Sequence, residues 1–225
     1  MKIIARIQNG FTDKFGIPRQ SGLAPGVLSR IVFEPEYRQP EALRGLEEFS
    51  HLWLIWEFSK ARRDTWSPTV RPPRLGGNIR MGVFATRSPF RPNPVGLSSV
   101  RLEEIQWHAP DGPALVVSGA DLMDGTPIYD IKPYLPYADC HPEARGGFAD
   151  AVKDKALRVH CPEELLVQIP AAHRDAVLDL LAQDPRPSYQ HDPQRVYGMA
   201  YAGMDVRFSV DGEDLTVLEI VRRNG

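Results

Sequence analysis

Residues 51–58 read HLWLIWEF. Branched and aromatic side chains crowd this run, which suits a strand that packs into a core. It is too short to cross a membrane. Runs of similar texture lie around it: KIIARIQ at 2–8, VLSRIVFE at 27–34, MGVFAT at 81–86, LSSVRLEEIQW at 97–107 and ALVVSGADL at 114–122. Several alternate apolar and polar residues, as half-buried antiparallel strands do. Turns rich in Gly, Pro and Asn separate them. Many short strands at fairly even spacing predict a barrel or a sandwich. One helix is predicted over residues 40–49, with Pro40 near its first position. No GxGxxG turn joins a strand to a helix, so a Rossmann-type nucleotide fold is not suggested.

The texture changes near residue 150. AAHRDAVLDLLAQ (171–183) sets Ala172, Ala176, Val177, Leu180 and Leu181 on one helical face. A Pro-rich loop, DPRPSYQHDPQ (184–194), follows. GMAYAGMDVRFSV (198–210) and EDLTVLEIVRR (213–223) then read as a hairpin around Asp211 and Gly212. The expected organisation is a β-rich domain over 1–140, a linker over 141–160 and a small α+β module over 161–225.

With 42% hydrophobic and 25% charged residues in 225, the chain has the composition of a globular protein with a sizeable core. Cys140 and Cys161 show no CxxC spacing, so neither a disulfide framework nor a metal site is expected. The opening MKIIARIQNG carries no signal-like segment, and no run is long enough to span a membrane. A cytoplasmic address is expected.

The net charge of −2 hides an asymmetry. Residues 60–101 hold Lys60, Arg62, Arg63, Arg71, Arg74, Arg80, Arg87, Arg91 and Arg101 against one acid, Asp64. The segment is therefore +8 and the remainder −10. Eight of the nine cations are arginine, whose planar fork suits phosphates, carboxylates and base edges. Such a block points to an anionic partner, or else to ion pairs with acids from distant strands.

Four segments are too irregular to be scaffold alone: GIPRQSGLAPG (16–26), RPPRLGGNIRMGVFATRSPFRPNPVGLSS (71–99), DLMDGTPIYDIKPYLPYAD (121–139) and DPRPSYQ (184–190). Proline locks their backbone and glycine permits close approach, so they can present fixed polar groups to a ligand. Tight turns between strands have the same composition. The combination with arginine favours a binding function.

The second segment resembles the signature of the TrmO (YaeB-like) family, and DGTPIYDIKPYLPYAD resembles that family's second motif. PRQSGL, LRGLEEFSHLWLIWEF and DPRPSY are similar to its remaining blocks, in the same order over nearly the whole chain. The resemblance implies a single-sheet antiparallel β-barrel with a small α+β C-terminal module. It implies a homodimeric methyltransferase that uses S-adenosyl-L-methionine on N6 of threonylcarbamoyladenosine, beside the anticodon of tRNA. Pro18, Arg19, Gln20, Ser59, Lys60, Arg87, Leu97, Asp124, Gly125, Thr126 and Pro127 match cofactor-contacting positions. Ser59 and Lys60 depart from the family's usual residues there, and Ser188 replaces a usual alanine.

The N6 acceptor is urea-like, its lone pair is delocalised, and its proton must leave, so a general base is expected. Asp121, Asp130 and Tyr134 are candidates, with Asp124, Asp139 and Tyr129 in the same segment. The anticodon arm is expected to meet Arg71, Arg74, Arg91, Arg186 and Tyr189, through its phosphates and the threonyl carboxylate. Trp66 and Phe90 are candidates for base stacking. His51, inside an apolar strand, reads as a hydrogen-bonded structural residue. Alternatives are a non-catalytic RNA-binding β-barrel, a methyltransferase acting on a small molecule or protein, and a flavin-binding split barrel.

Overall fold

The computed structural model describes residues 1–61, 65–72, 75, 79–152, 156–187, 190 and 192–223. Arg74 and Tyr189 lie outside this set. In HLWLIWEF, Leu52, Leu54 and Trp56 are buried and His51 is exposed. That alternation places the run in the wall of a closed barrel. In chain order its strands are β1 (Ala5–Gln8), β2 (Leu28–Phe33), β3 (His51–Glu57), β6 (Val95–Gln106), β7 (Ala114–Ser118) and β8 (Pro127–Pro133). A short ribbon of β4 (Thr69–Val70) and β5 (Met81–Gly82) sits within the connection from β3 to β6. The barrel closes in the order β1-β2-β7-β6-β3-β8, and each pairing is antiparallel. Ile7, Ile31, Leu52, Leu54, Leu115, Val117 and Ile128 fill it, fully buried. The single-sheet barrel is thus present.

The registers place three long connections on one rim. Residues 9–27 join β1 to β2, 58–94 join β3 to β6, and 119–126 join β7 to β8. Because β7 and β8 are not neighbours, the third connection crosses the mouth of the barrel.

After α1 (Pro136–Asp139), the C-terminal module contains β9 (Arg158–His160), α2 (Glu163–Leu166), α3 (Arg174–Ala182), β10 (Tyr197–Tyr201), β11 (Met204–Asp211) and β12 (Asp214–Arg222). Its sheet runs β10-β11-β12-β9, with β9 parallel to β12. β9 falls inside the expected 141–160 linker, so the module begins before residue 161. The Asp211–Asp214 hairpin is present. The run 198–210, expected as one strand, instead turns at Ala202 and Gly203, whose φ angles are +48° and +75°. Left-handed backbone at both central positions matches the twist of a tight hairpin.

Other expectations shift for local reasons. Residues 40–49 form two 3₁₀ turns, Pro40–Leu43 and Leu46–Glu48, because the backbone at Arg44 is not helical (ψ 125°). In MGVFAT only Met81 and Gly82 are strand, and Val83–Ala85 make a 3₁₀ turn. The 121–139 segment, irregular by composition, contains β8. Ala172 is exposed and precedes α3, whereas Ala176, Val177, Leu180 and Leu181 are buried as expected.

The module's core includes part of the barrel's own connection. Phe11, Ala24 and Val27 pack with Val177, Leu180, Met199 and Phe208 in one cluster. Gly26 donates its N–H to Asp179 Oδ2 at 2.8 Å, and a Cβ on Gly26 would lie 2.7 Å from the Ala176 nitrogen. The first connection is therefore sandwiched between the two units. Phe11→Ala is expected to cost about 3–5 kcal/mol and to split one melting transition into two, because it removes the shared part of the core. Differential scanning calorimetry reads both, and a single transition at the wild-type temperature contradicts the shared core.

Candidate active site

A hydrogen-bond chain starts in the barrel wall. Gly96 faces Trp56 across the β3–β6 ladder, and a Cβ there would lie 2.3 Å from the indole. Only glycine lets the ring lie against the strand. The Trp56 Nε1–H then donates to Ser98 Oγ at 2.9 Å, and the Ser98 hydroxyl donates to Asp121 Oδ1 at 2.5 Å. Asp121 belongs to the connection that crosses the mouth, so the chain leads from the core to the rim.

Burial pushes the Asp121 carboxyl above its ordinary pKa, opposed by the Ser98 hydroxyl and by the positive charge of Arg87. Arg87 is exposed and donates to Gln20 Oε1. Gln20 also donates to the Arg19 carbonyl at 2.6 Å. The 16–26 segment is pinned in turn, since Gly22 N–H reaches the Gly119 carbonyl at 2.8 Å and Pro18 is buried. Arg19 reaches the C-terminal module, donating to the carbonyls of Asp184 and Arg186 at 3.4 and 3.3 Å. The fold thus brings Gln20, Arg87, Asp121 and Ser98 together from four stretches of sequence. Ser98 and Trp56 were not among the expected residues. Ser98 falls within the GLSS end of the arginine-rich segment, but its partner is set only by barrel closure.

The Asp124–Pro127 run lies at the same rim with its polar groups engaged. Asp124 Oδ1 accepts the Asn9 N–H at 2.9 Å, Arg6 donates to the Gly125 carbonyl at 3.3 Å, and Thr126 Oγ1 donates to the Met123 carbonyl at 2.6 Å. Asn9 also donates to the Leu122 carbonyl at 2.9 Å, so this part of the connection is clamped to β1. Ser59 and Lys60 are exposed in a 3₁₀ turn whose Lys60 carbonyl accepts Lys14 Nζ at 3.4 Å. Leu97 is 57% exposed on the barrel's outer wall.

The remaining base candidates sit elsewhere. Asp130 pairs with Lys132 at 3.0 Å along β8. Tyr134 lies at the opposite rim, its N–H on the His51 carbonyl and its ring 5.5 Å from Trp53. Asp139 accepts from Trp53 Nε1 at 3.0 Å and the Leu135 N–H at 2.8 Å, which holds its carboxyl below the ordinary value. The Tyr129 hydroxyl donates to buried Glu57. His51 is hydrogen-bonded, to Ser50 Oγ at 2.9 Å, but on the exposed face of β3.

The arginines divide into two kinds. Arg186, expected at the RNA, is only 7% exposed and grips both oxygens of Asp184 at 2.8 and 2.9 Å, so it braces the loop. Arg91 donates to the Thr86 carbonyl at 3.0 Å and fastens its own loop. Arg71 and Arg80 are exposed and make no ion pair among the described residues. No group of three or more His, Cys, Asp or Glu that could hold a metal occurs among the described residues, and no helix there is long and apolar enough to cross a membrane.

Known proteins match this chain over nearly its whole length. The family model for the N-terminal domain of tRNA-methyltransferase O matches residues 6–140, and that for the TrmO C-terminal domain matches 154–223. A tRNA (adenine(37)-N6)-methyltransferase of Escherichia coli K12 is 40% identical over 98% of this chain and 97% of its own. A Pseudomonas aeruginosa chain, whose name describes an S-adenosylmethionine-dependent methyltransferase, is 45% identical over 94% of this chain and 93% of its own. A crystal structure of TrmO from P. aeruginosa superposes with a TM-score of 0.78 at 37% identity, over 98% of this chain and 95% of that one.

The raised Asp121 pKa has a thermal consequence. Between its ordinary and its folded pKa, the unfolded chain binds fewer protons than the folded one, so stability falls as pH rises through that window. Asp121→Asn removes the half-buried charge and keeps an acceptor for Ser98. Its melting temperature, followed from pH 4 to 8, is expected to fall less with pH than that of the wild type and to match or exceed it at neutrality. An equal or steeper fall contradicts the burial argument.

Proposed function

This chain belongs to the tRNA-methyltransferase O family, and on that premise we propose that it methylates N6 of the adenine at position 37 of tRNA with S-adenosyl-L-methionine. The observation that carries the reading to particular residues is the cluster of Gln20, Arg87, Ser98 and Asp121 at one barrel rim. The finer substrate is N6-threonylcarbamoyladenosine beside the anticodon, as the sequence motifs imply.

The residues suit the cofactor. It has an aromatic base, a cationic sulfur and a zwitterionic tail, and needs apolar walls with a few fixed polar groups. When bound, it supplies an electrophilic methyl group. Arg87 offers a fork for a carboxylate, Gln20 a neutral amide, Leu97 an exposed apolar surface, and Pro18 a rigid wall. Arg19, Ser59, Lys60 and the Asp124–Pro127 run complete the cofactor-binding set in this reading. Asp124, whose carboxylate already accepts from Asn9, shapes the wall through its loop.

Asp121 is the proton acceptor in this reading. Ser98 donates to Oδ1 and orients the carboxylate that takes the N6 proton. Burial makes it a stronger base than an exposed aspartate, as general-base catalysis near neutral pH requires. Arg71 meets phosphates of the anticodon arm, while Arg91 and Arg186 act by stiffening the loops. The protein works in the cytoplasm as a homodimer.

Incubation with anticodon-bearing tRNA and the cofactor, followed by mass analysis of the nucleosides, tests the activity. A gain of one methyl on the modified adenosine is expected, and no gain at millimolar cofactor overturns the proposal. Arg87→Ala is expected to weaken cofactor binding about 10- to 150-fold, the value of a lost charge-assisted hydrogen bond, with a smaller effect on tRNA. Asp121→Asn is expected to lower kcat by about 10²–10⁴ without lowering the melting temperature. Calorimetric titration and single-turnover assays separate the two roles, and the reverse pattern reassigns them.

A further inference from the structure

Two aromatic rings stand in solvent beside this site. Phe84 is 74% exposed and Trp66 53% exposed, with ring centroids 6.2 Å apart and planes 31° from parallel. Large apolar side chains so exposed and so near each other call for a partner. Their backbone is held. Val83, beside Phe84, is 1% exposed, its N–H reaches the Pro68 carbonyl at 2.9 Å, and the following segment is fastened by Arg91 on the Thr86 carbonyl. The rings are therefore presented by a fixed scaffold.

The charge around them chooses the partner. The β4–β5 ribbon pairs Thr69 with Gly82 and Val70 with Met81. Continuing that register sets Arg71 opposite Arg80. Like charges directly opposed on a ribbon repel, and both are exposed without an acid among the described residues. Residues 65–102 contain no Asp or Glu at all. Exposed rings interleaved with arginines form the surface that single-stranded nucleic acid uses, with bases on the rings and phosphates on the cations. A protein partner would need to bring its own acids to this face.

We propose that Trp66 and Phe84 form a stacking platform for one unpaired base of the anticodon loop, with Arg71 and Arg80 holding the adjoining phosphates. The proposal rests on the tRNA-methylating reading and extends it to a second nucleotide. Phe84 is three residues from Arg87, which fully extended chain can separate by at most about 11 Å. The base on the platform is therefore a near neighbour of the methylated one, and the platform selects unstacked loops over duplex.

The test measures affinity of the full-length protein for an anticodon stem-loop RNA, together with its salt dependence. Phe84→Leu keeps an apolar side chain and removes the ring face; it is expected to weaken binding about 5- to 150-fold with an unchanged salt slope. Phe84→Tyr restores the ring and is expected to bind as the wild type does. Arg71→Ala and Arg80→Ala are each expected to flatten the salt slope by about one contact. Cofactor affinity and melting temperature stay at wild-type values in all four. Wild-type affinity in Phe84→Leu, with tRNA methylation intact in the wild type, overturns the platform alone. Absence of binding and methylation in the wild type overturns the underlying reading instead. A shift of Phe84→Leu from dimer to monomer, with or without loss of RNA affinity, assigns the surface to a second copy of the chain and also overturns the platform.

Discussion

The contact between Trp56 and Gly96 joins the core of this protein to its chemistry. A side chain at position 96 would force the indole away from β6. The indole N–H would then lose Ser98, and Ser98 would lose the orientation that directs its hydroxyl to Asp121. A buried carboxylate is tolerated only when its hydrogen bonds are in place. The barrel is therefore more than a platform beneath the loops. Its closure sets the hydrogen bonds and the burial of an acid at the rim.

The C-terminal module extends the same logic to the 9–27 connection. It shares a hydrophobic cluster with the 9–27 connection and holds it at two points, through Gly26 on Asp179 and Arg19 on the carbonyls of Asp184 and Arg186. Arg186 spends its guanidinium on Asp184, a residue in left-handed backbone at φ +51°, so the loop that receives Arg19 is itself rigid. Gln20 and Arg87 can then meet without either loop having to order on binding, which lowers the entropic cost of recognition.

The arginine-rich segment works by division of labour. Some members are consumed inside the protein, as Arg91 is on its own loop, and these give the segment its shape. Others, Arg71 and Arg80 among them, remain in solvent. A cluster of like charges held on a stiff scaffold stores repulsion that an anion relieves. The shape and the charge of the segment thus come from different residues of one type.

Much of this was legible in the residues. Alternating apolar runs announced the barrel strands, because one buried face imposes a period of two. The Asp-Gly hairpin, the α3 face and the arginine asymmetry were equally plain, and the long motif carried the family. The β8 strand was not, since its prolines and polar residues disguise a wall strand as a loop. Nor was the turn at Ala202, where tertiary contacts hold a non-glycine residue in left-handed backbone. That Asp121 joins Ser98 and Trp56, and that Arg186 grips Asp184, required the fold. Burial and hydrogen-bond partnership depend on which strands close beside which. Sequence alone determined the residue types available for this chemistry. Barrel closure decided which of them meet, because pairing β6 with both β3 and β7 brings Ser98 under a connection that begins more than twenty residues later.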